Sequence, residues 1–107
     1  MPYNEKLADR LRKRLTGFTG NEEKKMMGGL VFMVNGKMCV GVFKDELMCR
    51  IDPGIYESVL HKKGCRPMEM KGWKMKSFVL IGEPGLSSKK DFEYWIGLSL
   101  QFNANAR

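Results

Sequence analysis

The chain has 107 residues, 43% of them hydrophobic, with 19 Lys and Arg against 12 Asp and Glu, a formal charge of +7. That length suits one domain, residues 1–107, with one core, and the hydrophobic fraction excludes a disordered chain. Runs such as Leu30–Val34 fall far short of the ~20 apolar residues a membrane-spanning helix needs.

The N-terminus MPYNEKLADR has no apolar stretch of the secretory type, so the expected compartment is the cytoplasm, with no membrane attachment. Asn4 to Leu15 reads as an amphipathic helix, with Asn4 as cap and Glu5 in the first turn. Tyr3, Leu7, Leu11 and Leu15 recur every four residues, and Phe18 continues the stripe. Lys6, Arg10 and Lys13 form a basic ridge, and Asp9 is placed to pair with Lys13. Gly17 and Gly20 stop the helix.

Glu22 to Met27 is a first strand, ended by Gly28-Gly29 as a turn or bulge. Leu30–Val34 and Lys37–Phe43 flank Asn35-Gly36, a type I′ hairpin signal. That hairpin sets Phe32 opposite Cys39 and Leu30 opposite Gly41. Lys44-Asp45 turns into a strand from Glu46 to Ile51. Asp52-Pro53 opens a short helix, with Lys62 and Lys63 in its last turn and Gly64 as terminator. Arg66–Met70 contains Pro67 and reads as an edge strand. Gly72-Trp73-Lys74 is a connection, and Met75–Ile81 is the last strand. Ser88 and Asp91 cap a final helix, Lys89 to Phe102, and Asn103 to Arg107 is a polar, frayed tail. The order α-β-β-β-β-α-β-β-α predicts an α+β fold: an antiparallel sheet of four to six strands with helices mainly on one face.

Cys39, Cys49 and Cys65 show neither a disulfide framework nor zinc spacing and are expected as buried hydrophobes. A redox pair of Cys39 with Cys49 is the sharper alternative, disfavoured in a cytosolic chain. His61, beside lysines at a helix end, suits the dipole better than catalysis. Gly28-Gly29 after Lys24 and Lys25 could cradle an anion, but a phosphate loop needs a following helix and strands follow. Asp45-Glu46 at a hairpin tip have no second acid for general acid–base work. No cofactor or metal is expected. Lys6, Arg10, Lys13, Lys24, Lys25, Lys71, Lys74 and Lys76, with Trp73 as a stacking ring, could compose a nucleic-acid surface, although no RNA-binding aromatic motif or helix-turn-helix stands with them. Met68, Met70 and Met75 around Trp73 suggest either core or a partner patch.

Met26-Met27-Gly28-Gly29, then Phe32, Gly36, Leu47 and Arg50, followed by Arg66-Pro67-Met68, Gly72 and Met75, resemble the N-terminal domain of the TfoX/Sxy family. The resemblance spans nearly the whole chain. Met27 stands where relatives carry an aromatic residue, and the second, helical domain of the longer regulators is not expected here. The resemblance implies a YjbR-like or secretion-chaperone-like α+β fold and a non-enzymatic regulatory role linked to competence, exerted by protein–protein contact. It brings no catalytic residues. The expected partner is a protein, with a homodimer as one form; a basic nucleic-acid-binding accessory protein is the alternative.

Overall fold

The computed structural model describes residues 3–17, 21–26, 28–70 and 72–105. Phe18, Gly20, Met27, Lys71 and Arg107, on which some expectations fall, lie outside the described residues. The order is α1 (Glu5–Leu15), β1 (Glu22–Met26), β2 (Gly29–Val34), β3 (Lys37–Phe43), β4 (Glu46–Arg50), a 3-10 turn (Pro53–Ile55), α2 (Tyr56–Val59), β5 (Cys65–Met70), β6 (Trp73–Ile81), a second 3-10 turn (Glu83–Gly85) and α3 (Lys89–Asn105). The six strands form one antiparallel sheet, β1-β2-β3-β4-β6-β5. The α+β expectation and its element order hold, and Pro67 does lie on an edge strand.

Helix α1 forms as its cap and stripe require. The Asn4 side-chain oxygen accepts from the amides of Lys6 (2.9 Å) and Leu7 (3.1 Å), satisfying two orphan donors. Tyr3, Leu7, Leu11 and Leu15 are buried. Asp9 pairs with Arg12 at 2.7 Å and not with Lys13. The same guanidinium binds Glu23 of β1 at 2.8 and 2.9 Å, so its planar fork ties α1 to the sheet edge where an ammonium could not.

The Asn35-Gly36 hairpin takes the expected form, with φ of 55° and 76°. Its register differs from the expected one. Phe32 pairs with Val40 and Leu30 with Val42, while Met33 pairs with Met38. Cys39 is therefore an extra residue in β3. The bulge turns two successive side chains, Cys39 and Val40, into the same core.

Three other boundaries moved. Trp73 and Lys74 belong to β6, paired with Met70 and Glu69, which leaves residues 71–72 as the turn, with Gly72 at φ 83°. Asp52 caps Gly54 N at 2.8 Å as expected, but α2 ends at Val59, and His61, Lys62 and Lys63 lie beyond it. Ser88 Oγ accepts from Asp91 N at 3.0 Å, and α3 continues past Phe102 to Asn105. The polar tail is held because Asn103 is buried: its amide nitrogen donates to Val34 O at 2.9 Å, and its carbonyl accepts from Lys37 Nζ at 3.1 Å. The β2–β3 hairpin thus secures the end of α3.

The main core lies between the helices and one sheet face. Leu11, Leu15, Tyr56, Val59, Phe92, Trp95 and Ile96 pack on Phe32, Val40, Val42, Leu47, Cys49, Val79 and Ile81. The other sheet face has its own apolar cluster, to which no helix residue contributes.

Candidate interaction surfaces

Alternation along the strands makes the helix-free face apolar as well. Val31, Met48, Met68 and Leu80 are buried there, with Met26, Met33, Met38, Phe43 and Phe78 half-buried around them. Five of the nine methionines thus sit on one face, where their unbranched side chains cover their neighbours without a second layer. The charges at paired positions on this face are of both signs, with Arg50, opposite Phe78, the extra cation. Glu22 lies opposite Met33, Lys24 opposite Val31, Glu46 opposite Phe43 and Arg66 opposite Leu80. Arg66 and Glu46 form a bidentate pair, with Nε donating to Oε2 at 2.7 Å. That pair raises the Arg66 pKa.

The residues that carried the resemblance have structural employment. Met26 ends β1 on the methionine face. Gly28 turns the chain at φ 78°. Gly29 is already in β2, where a Cβ would strike Val42 O and the Phe43 ring. The glycine pair therefore answers two needs, a left-handed backbone and a close approach. Phe32 fills the core, Gly36 completes the hairpin turn, and Pro67 occupies the β5 edge. Met27 lies outside the described residues. Arg50 places its guanidinium 5.4 Å over the Phe102 ring. It brings a cation to the last turns of α3, which have none of their own, where the helix dipole favours one.

The basic residues are dispersed. Lys6 and Arg10 line an open depression of about 420 Å³ with Asn4, Asp45, Glu83 and Leu86. Arg10 is partly engaged: Nη1 donates to Leu86 O at 3.4 Å, and the guanidinium lies 4.0 Å over the Phe92 ring. Lys13 is exposed on α1. Lys24 and Lys25, adjacent on β1, project to opposite faces. Lys74 lies on β6, with three strands between it and β1. The fold brings Lys6 and Arg10 together and leaves Lys24, Lys25 and Lys74 apart from them.

A different basic group escaped the sequence reading. Lys62, Lys63 and Lys90 line an opening of about 300 Å³ with Asp91, Tyr94 and Trp95. Lys62 Nζ lies 4.5 Å over the Tyr94 ring. Lys62 and Lys63 follow α2, and Lys90 in α3 is remote from them in sequence, so only packing joins them. The available signal was Tyr94, a polar-tipped ring on the less apolar side of α3.

The thiols offer little chemistry. Burial pushes Cys39 and Cys65 up to about 11 and Cys49 higher still, so all three stay protonated near neutrality. The Cys49 thiol donates to Trp95 O at 3.8 Å. His61 is exposed in the turn after α2. Among the described residues no group of three or more His, Cys, Asp and Glu could hold a metal ion. No helix among them is long and apolar enough to cross a membrane.

Comparison with known proteins adds to this geometry. A family model described as the TfoX N-terminal domain matches residues 13–103. The structure is similar to the crystal structure of a structural-genomics protein from Pseudomonas syringae, with a TM-score of 0.64 and 14% identity over 89% of this chain and 97% of that one. At that identity the likeness speaks for the fold alone. A comparison with curated proteins finds no match.

Proposed function

We propose that this chain, which belongs to the TfoX N-terminal domain family, is a small non-enzymatic regulatory domain of the cytoplasm that acts by protein–protein contact through its helix-free sheet face. The observation that carries this reading is the methionine-rich cluster on that face, built from β1 to β6 and joined by no helix. Apolar surface of this kind gains from being covered, and methionine adapts to a partner's shape.

The occupant that suits the face best is a second copy of the chain. Two copies repel through their net charge of +7, but this face lowers that repulsion by setting Glu22 and Glu46 among Lys24, Arg50 and Arg66. Six strands at ~4.8 Å and five residues at ~3.3 Å give a face of about 29 by 17 Å. Two such faces would bury on the order of 1,000 Å², the lower bound for a specific interface. Face-to-face sheets pack at ~10 Å with a small rotation.

Sedimentation velocity across a concentration series tests this. The expected result is a reversible dimer that Met33→Glu and Met38→Lys each reduce to monomer while circular dichroism stays unchanged. A chain that remains monomeric throughout, or variants that still dimerise, would overturn the reading.

A further inference from the structure

The large apolar side chains most exposed among the described residues are Trp73 at 77% and Tyr94 at 40%. Both stand among exposed lysines that enter none of the ion pairs among the described residues. Around Tyr94 these are Lys62, Lys63 and Lys90, which line the same opening. Beside Trp73 they are Lys74 and Lys76 on β6. The two groups mark opposite ends of the edge strand β5. At its start, Cys65 N donates to Lys62 O at 3.1 Å; at its end, Trp73 pairs with Met70. Six residues of strand span roughly 20 Å. The carboxylates that face these lysines are Asp91 in the opening and Glu69 opposite Lys74, so positive charge prevails along the strand.

A ligand matched to this surface is a polyanion that also offers flat rings. A duplex supplies the charge but keeps its base faces stacked inside. An acidic peptide supplies the charge without the rings. We propose that the β5 side of the molecule binds single-stranded nucleic acid, with phosphates following the lysines and with Tyr94 and Trp73 each stacking on a base. This surface shares strands β5 and β6 with the proposed dimer face, but it is probed at Trp73 and Tyr94 and the dimer at Met33 and Met38, so the two readings fail separately.

The protein reports its own binding. Trp95 is buried and Trp73 is not, so quenching of the water-exposed fluorescence follows Trp73. Oligothymidylate, oligouridylate, a DNA duplex and polyglutamate are titrated at low salt. The expected result is quenching by the single strands, with an affinity that falls as salt rises. Trp73→Ala removes the reporter, so its binding, like that of every competitor against it, is read by the anisotropy of a dye-labelled ligand. Trp73→Ala and Tyr94→Ala, both at exposed positions, each weaken binding roughly tenfold. Lys62→Glu with Lys63→Glu weakens it and flattens its salt dependence. The stronger of the two oligonucleotides identifies DNA or RNA as the source. No quenching at low salt would overturn the proposal. So would binding of duplex or polyglutamate as tight as that of the single strands and indifferent to Trp73→Ala, an outcome that leaves only attraction of charge.

Discussion

Phe32 and Met33 are neighbours on β2, yet they serve opposite sides of the sheet. Phe32 is sealed under the helices with Trp95, Ile96 and Leu11. Met33 is half-buried among other strand side chains, with no helix above it. One face is a core closed by a second layer, and the other is a core closed only by its own methionines. Alternating apolar residues are needed for both. What differs is the presence of a covering layer and, with it, the depth of packing that each side chain loses on truncation.

The sharpest way to break this contrast is to truncate both neighbours. Phe32→Ala is expected to cost about 3–5 kcal/mol, because a sealed core leaves a cavity. Met33→Ala is expected to cost about 1 kcal/mol, because little area is withdrawn from water there. Urea unfolding at a concentration where the chain is monomeric reads both. Equal losses would mean that the methionine face is as tightly packed as the helical one.

A smaller effect tests how the helical layer is fastened. Asn103 is 3% exposed and donates to Val34 O, whereas Asn105 is exposed and binds only its own helix at Gln101 O. Asn103→Ala strands a buried acceptor and should cost about 1–3 kcal/mol. Asn105→Ala should stay within about 0.5 kcal/mol. Thermal unfolding of the two variants separates a secured helix end from a frayed one.

The smallest effect is one of pH, and it belongs to the helix-covered face. Cys39 and Cys49 lie in that core, and Cys65 packs against it. Burial raises all three from an ordinary value of 9.0, Cys39 and Cys65 to about 11 and Cys49 beyond that. The unfolded chain therefore releases these protons first as pH rises. The stability they contribute is intact below about pH 9 and is lost through about pH 11 and above. Urea midpoints at about pH 8 and about pH 10 should fall less in Cys49→Ala than in the parent chain. An identical fall in both would remove the thiols as its cause.

Much of the fold was legible because its signals are local. Asn4, Asn35-Gly36, Asp52-Pro53 and Ser88 each act on backbone within a few residues, and each does so as read. The errors share a cause, since each depends on residues far apart. The bulge at Cys39 shifts the hairpin register to place a second side chain under the helices. The tail becomes helix because Asn103 finds Val34, 69 positions away. Trp73 enters a strand because Met70 pairs with it. The candidate surfaces divide the same way. The aromatic and basic character of Trp73 with Lys74 and Lys76 was visible in order along the chain. The cluster of Lys62, Lys63 and Lys90 around Tyr94 was not.

The sequence by itself determined the element types, the strand block between helices, the hairpin turns and the family, because periodicity and turn chemistry are properties of short segments. Only the tertiary structure decided which apolar face the helices cover. Both faces alternate equally well, and the choice rests on where the three helices among the described residues can all pack at once. It also decided which lysines share a surface, because charges carry no local signal of their neighbours.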